Sequence, residues 1–161
     1  MINKKAIQYF ASIGTEMADS LPNEPGYEEY LPTPRTTLKF RRVVEEDVEK
    51  IMKSQQPKLS CGVDTINNKI VKKCCAELTK PMTKIINLSI KLGIVPQLHK
   101  EARIVPLYKK DAPNICGNYR PVSLLAFLSK ILEKAICRQL MQYLNVEKLI
   151  CPDQFGFRRS N

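Results

Sequence analysis

Residues 101–125 read EARIVPLYKKDAPNICGNYRPVSLL, and the period of this stretch decides the fold. Arg103, Ile104, Val105, Leu107 and Tyr108 suit a strand, being rich in β-branched and aromatic side chains. Pro106 has no N–H to give a ladder, so it demands an edge position or a bulge. DAPNICGN, 111–118, is dense in turn residues, and NYRPV, 118–122, can return as a second arm. A short β-hairpin is therefore expected. Ser123 is the expected cap of the helix that follows, SLLAFLSKILEKAICRQLMQYL, 123–144. Its stripe would be Leu125, Leu128, Leu132, Ile136, Leu140 and Tyr143, with Lys130, Lys134 and Arg138 off it.

Working toward the N-terminus, TKPMTKIINLSIKLG reads as a helix capped by Thr79, with Pro81 in its first turn and Gly93 and Pro96 ending it. Before it, Asp64 is the expected cap of a helix with Ile66, Ile70, Val71, Cys74 and Leu78 on one face. Lys69, Lys72 and Lys73 fall largely off that face. VEEDVEKIMKS is a further helix, its acids early and its lysines late. LKFRRV, 38–43, reads as a short strand, and residues 3–20 as a helix. Pro22, Pro25, Pro32 and Pro34 forbid regular structure over 21–37, which is expected to be a linker or extended arm. The fold class expected is α+β, mostly helical, with one short β-hairpin. Residues 1–57 are expected to form an N-terminal extension and 58–161 the main body.

Charge narrows the function. The net charge is +10, and residues 1–50 carry 7 Lys/Arg against 9 Asp/Glu while 51–161 carry 19 against 7. A basic body behind a mildly acidic lead suggests a polyanionic partner. The six cysteines include no C-x-x-C pair and His99 is the lone histidine, so no zinc ligand set is visible. MINKKAIQYFASIG lacks the apolar run of a signal peptide, and no stretch of about 20 apolar residues is present to span a bilayer. An intracellular location with reduced thiols is expected, with nucleus and cytoplasm both open and no membrane partner.

Two basic groups converge if the hairpin forms. Lys109 and Lys110 end the first arm, and Arg120 lies near the start of the second. Pro121 pushes Arg120 toward an extended conformation. A guanidinium there can engage two phosphate oxygens at once, and a lysine adds a mobile point charge. The spacing is equally that of a solvated basic hairpin.

KLSCGVDTINNKIVK, GIVPQLHKEARIVPLYKK, GNYRPVSLLAFLSKILEKAICRQLMQYL and DQFGFRRS follow one another in order from about Lys58 to Asn161. Together they resemble the N-terminal blocks of reverse transcriptases from LINE-type non-LTR retrotransposons, of the jockey-like and RTE-like sort. The resemblance implies the fingers part of a right-hand polymerase, an RNA-directed DNA polymerase, with the palm absent. It implies that Lys109 or Lys110, with Arg120, contacts the nucleoside triphosphate. It places Ser60, Gly62 and Asp64 near the template, and Gln154, Phe155, Gly156 and Arg158 near the template or nucleotide pocket. Phe155 and Phe157 are also read as ordinary packing residues. His99 stands where the family often has tryptophan.

The implied partners are RNA or DNA, nucleoside triphosphate and the missing palm portion of the same polymerase. Nucleotidyl transfer uses two divalent ions held by carboxylates. This sequence has no Asp-Asp pair, and Asp64, Asp111, Glu133 and Asp153 are isolated in different expected elements. No catalytic residue and no metal ligand is therefore expected here. Mg2+ is expected only in the complete enzyme, and no polymerase activity is expected from the chain alone. The alternative reading is a non-catalytic RNA/DNA-binding module retained from such an element.

Overall fold

The computed structural model describes residues 3–21, 32–151, 153–154 and 156. The described elements are α1 (Asn3–Asp19), α2 (Glu45–Lys53), α3 (Asn68–Lys73), α4 (Cys75–Leu92), β1 (Ala102–Tyr108), β2 (Tyr119–Leu125) and α5 (Phe127–Val146). Single 3-10 turns occupy Gln97–His99 and Cys116–Asn118. The fold is α+β, mostly helical, with a two-stranded antiparallel sheet. Part of the proline-rich arm, 22–31, lies outside the described residues.

The core is where α2, α3, α4 and α5 meet. α2 contributes Val48, Ile51 and Met52, at the i, i+3, i+4 spacing that stacks side chains on one helix face. Val71 comes from α3, and Cys75, Met82 and Ile86 from α4. Phe127, Ile131, Leu132 and Ala135 of α5 close it. Residues 45–53, expected within the N-terminal extension, thus supply three fully buried side chains.

The α5 stripe is rotated from the expected one. Phe127, Ile131 and Ala135 are its centre, Leu128 and Ile136 its flanks, and Leu140 is exposed.

Several expected boundaries shift, each for a physical reason. Ser123 does not cap α5: β2 runs on to Leu125, and Ser123 faces Ile104 across the ladder. Asp64 does not cap the helix after it. Asn67 does, its side chain accepting from the Ile70 amide at 3.0 Å. Val71 alone of the expected face on that helix is buried, while Ile66 and Ile70 are exposed. Thr79 is no cap either. Cys74 leaves helical geometry, α4 begins at Cys75, and Thr79 is buried, donating to the Cys75 carbonyl at 2.7 Å. Pro81 therefore sits beyond the first turn. Gly93 ends α4 as expected, at φ 65°, where a Cβ is disfavoured.

LKFRRV is not a strand. The segment is extended but joins no sheet. Side-chain amides of the helices take the place of a neighbouring strand. Asn87 of α4 accepts from the Val43 amide at 2.8 Å and donates to its carbonyl at 2.9 Å. Gln139 of α5 does the same to Arg41, at 2.7 Å and 2.9 Å. Further back, Glu147 accepts from the Arg35 amide and the Thr36 hydroxyl, both at 2.7 Å, and the Tyr143 hydroxyl donates to the Thr36 carbonyl. Residues 35–43 form a strap laid over α4 and α5.

The hairpin register pairs Ala102 with Leu125 through to Tyr108 with Tyr119, without a bulge. Beyond that last pair the Lys109 amide donates to the Asn118 carbonyl at 2.8 Å. Antiparallel pairs alternate between bonded and non-bonded classes. Lys109–Asn118 is bonded, so Pro106–Pro121, opposite each other, falls in the non-bonded class. Their missing N–H groups belong to the outer edges of the sheet, where no ladder bond is lost.

Candidate functional site

The hairpin carries the expected basic residues and stands clear of the core. Arg120 is exposed and opposes Leu107. Side chains alternate between the faces of a strand. Arg103, Val105, Leu107 and Lys109 of the first arm therefore share a face with Arg120, Val122 and Leu124 of the second. Lys109 is the diagonal neighbour of Arg120, two residues beyond its direct partner. Lys110 is set apart: its ammonium lies 3.7 Å from Asp111, an exposed pair of little strength. Among the described residues, Arg103, Lys109 and Arg120 have no ion-pair partner. Arg103 was not singled out in the sequence, though strict alternation from Arg120 and its partner reaches it.

The tip of the hairpin is braced. Tyr108 and Tyr119 meet edge to face, ring centres 5.5 Å apart. Their hydroxyls donate into the connecting loop, Tyr108 to the Asp111 carbonyl and Tyr119 to the Pro113 carbonyl at 2.8 Å. Asn118 adds a bond to the Ala112 carbonyl at 2.9 Å. Asp111 takes φ 65°, which its short polar side chain tolerates. These bonds limit the freedom of the loop that joins Lys109 to Arg120.

The Ser60–Asp64 block docks at the base of the hairpin. Asp64 accepts from the Phe127 amide at 2.8 Å, satisfying the first free N–H of α5 from 63 residues away. Its other oxygen accepts from the Ile66 amide at 3.3 Å. Gly62 is buried against the β2–α5 junction. A Cβ there would meet the Leu125 carbonyl carbon at 2.5 Å and the Ala126 nitrogen at 2.6 Å. Ser60 is exposed beside them.

His99 lies in the same neighbourhood. Its carbonyl accepts from the Ser129 hydroxyl at 2.8 Å, and burial pushes its imidazole pKa down, opposed by the Asp64 charge.

Gln154 and Gly156 are exposed, and among the described residues no hydrogen bond joins them to the hairpin. Phe155 and Arg158, with Phe157, lie outside the described residues. Among the described residues no three His, Cys, Asp or Glu side chains gather as a metal site. No described helix is long and apolar enough to cross a membrane.

No family model matches the chain. Individual proteins do. An RNA-directed DNA polymerase from the mobile element jockey of Drosophila melanogaster is 32% identical over 133 residues, covering 81% of this chain. The jockey polymerase of Drosophila funebris is 30% identical over 132 residues, again 81% of this chain. A probable RNA-directed DNA polymerase from transposon BS of D. melanogaster is 28% identical over 140 residues, 84% of this chain. The chain spans 14% of the length of the two jockey proteins and 16% of the BS protein. By its sequence, then, the chain is a homologue of the RNA-directed DNA polymerases of non-LTR retrotransposons and corresponds to a part of them.

Proposed function

We propose that the chain is the fingers portion of an RNA-directed DNA polymerase, and that its hairpin engages the polyphosphate of an incoming nucleotide. The observation that carries this reading is the single exposed hairpin face shared by Arg103, Lys109 and Arg120, with no carboxylate partner among the described residues. Arg120 presents a planar fork to two phosphate oxygens, and Lys109 adds a point charge beside it. The tyrosine-braced loop holds the two arms in place before a ligand arrives, so less freedom is lost on binding.

Ser60, at the hairpin base, is proposed to face the template strand, together with Gln154, Phe155, Gly156 and Arg158. Gly62 and Asp64 serve that arrangement by seating the block on the β2–α5 junction. The residues of this chain bind and orient, and the carboxylates that hold magnesium are assigned to the remainder of the polymerase.

Titration of the 161-residue chain with a fluorescent nucleoside triphosphate tests this. Arg120→Ala is expected to weaken binding by about 1.5–3 kcal/mol, the range for a charged hydrogen bond. Lys110→Ala is expected to change it far less than Lys109→Ala. Equal affinity for the parent chain and Arg120→Ala overturns the reading. Primer extension on an RNA template by the chain alone would overturn the assignment of the metal-holding carboxylates elsewhere.

A further inference from the structure

A second cationic surface lies away from the hairpin, along α4. Between the strap, the start of α2 and the outer face of α4 runs a groove of about 740 Å³. Its floor includes Pro81 and Leu88, and its walls carry Arg42, Lys80, Lys84 and Lys91. The single acid along it is Glu45. Lys80, Lys84 and Lys91 recur at helical spacing, so they rise along one side of α4 over about 16 Å. Among the described residues none of the four cations has an ion-pair partner.

Arg42 is placed there by construction. The residues on either side of it, Arg41 and Val43, are each fastened through both backbone groups, to Gln139 and Asn87. The backbone at 42 has little freedom left, and Arg42 lines the groove together with the α4 lysines. Gln139 is twelve residues along α5 from Phe127, which puts the strap about 18 Å from the hairpin base.

We propose that this groove binds the phosphate backbone of a single-stranded nucleic acid, without reading its sequence. Four cations against the one acid of the groove leave a net positive charge that repels itself until a polyanion neutralises it. No aromatic ring lines the groove, so base stacking has no platform and the phosphates supply the attraction. The site stands independently of the triphosphate reading of the hairpin.

The test uses a labelled oligo(U) RNA and the 161-residue chain across a salt series. The variant Arg42→Ala/Lys80→Ala/Lys84→Ala/Lys91→Ala is expected to lose about tenfold or more in affinity near 0.1 M salt, and its log K against log salt slope should flatten by about 3. Arg120→Ala should keep its groove-dependent share of the slope, and the groove variant should keep its triphosphate affinity, which separates the two sites.

Asn87→Ala removes no charge but frees the backbone beside Arg42, and should also weaken RNA binding. Far-ultraviolet circular dichroism and the melting temperature report whether each variant stays folded. If the Asn87→Ala chain unfolds, Asn87→Ser, which also leaves the charge of the groove unchanged, replaces it. A folded groove variant with unchanged salt slope overturns the proposal. So does displacement of the RNA by polyglutamate at equal charge concentration, which would assign the groove to acidic peptides.

Discussion

Gly62→Ala is expected to be the most costly one-carbon change on this surface. The added methyl would sit 2.5 Å from the Leu125 carbonyl carbon, 2.6 Å from its oxygen and 2.6 Å from the Ala126 nitrogen. All three are backbone atoms, and each distance is roughly an ångström inside ordinary contact. No rotamer change relieves the overlap, so the 60–64 block must lift from the junction. Lifting it breaks the 2.8 Å bond from the Phe127 amide to Asp64. A charged hydrogen bond is worth about 1.5–3 kcal/mol, and uncovering the junction adds to that. The expected loss is about 3 kcal/mol, a drop of roughly 6–12 °C in Tm for a chain of this size.

Urea unfolding followed by circular dichroism measures it as a shift in midpoint at constant slope. Val63→Ala, at an exposed neighbour, is the control and should stay within about 0.5 kcal/mol. Asp64→Asn should fall between the two, since it keeps an acceptor but loses the charge. If Gly62→Ala melts within about 0.5 kcal/mol of the parent, the tight seat at the hairpin base is wrong.

The strap should respond to acid. Hydrogen bonds from the Thr36 hydroxyl and then the Arg35 amide hold the Glu147 carboxyl below its ordinary pKa. A depressed folded pKa means a contribution present in full above the ordinary carboxylate range and lost as pH falls through the lower folded value. Limited proteolysis within residues 32–43 should accelerate over that window, and Glu147→Gln should remove the dependence. In the core, Ile131 is fully buried. Ile131→Ala is expected to cost about 2–5 kcal/mol in the same urea assay, with the hairpin amides exchanging no faster relative to global unfolding.

The hairpin was readable because its information is local. β-branched and aromatic residues, a turn-rich loop and a Pro106 that fits only an edge position or a bulge lie within 25 consecutive residues. Gly93 was readable for the same reason, a left-handed stop after an apolar period. What was not readable depended on distant partners. Ser123 has the chemistry of a cap, but strand pairing opposite Ile104 claims its backbone, and the amide at the start of α5 is met by Asp64 instead. LKFRRV has strand composition, yet Asn87 and Gln139 answer its backbone in place of a second strand. Nothing local to α4 marks Lys80, Lys84 and Lys91 as one side of a groove, because Arg42 reaches that groove from the distant strap.

The opposed prolines of the hairpin have a consequence for the molecule in a crowded solution. Ile104, Leu107, Tyr108 and Val122 leave the ribbon unusually greasy for something so exposed. Such a ribbon would ordinarily recruit a third strand from another molecule. Here each rim is interrupted at mid-length by a ring that offers no proton and crowds an incoming chain. The ribbon is thus blunted on both sides at one level, and replacing Pro106 and Pro121 with valine would turn it into a seed for intermolecular sheet.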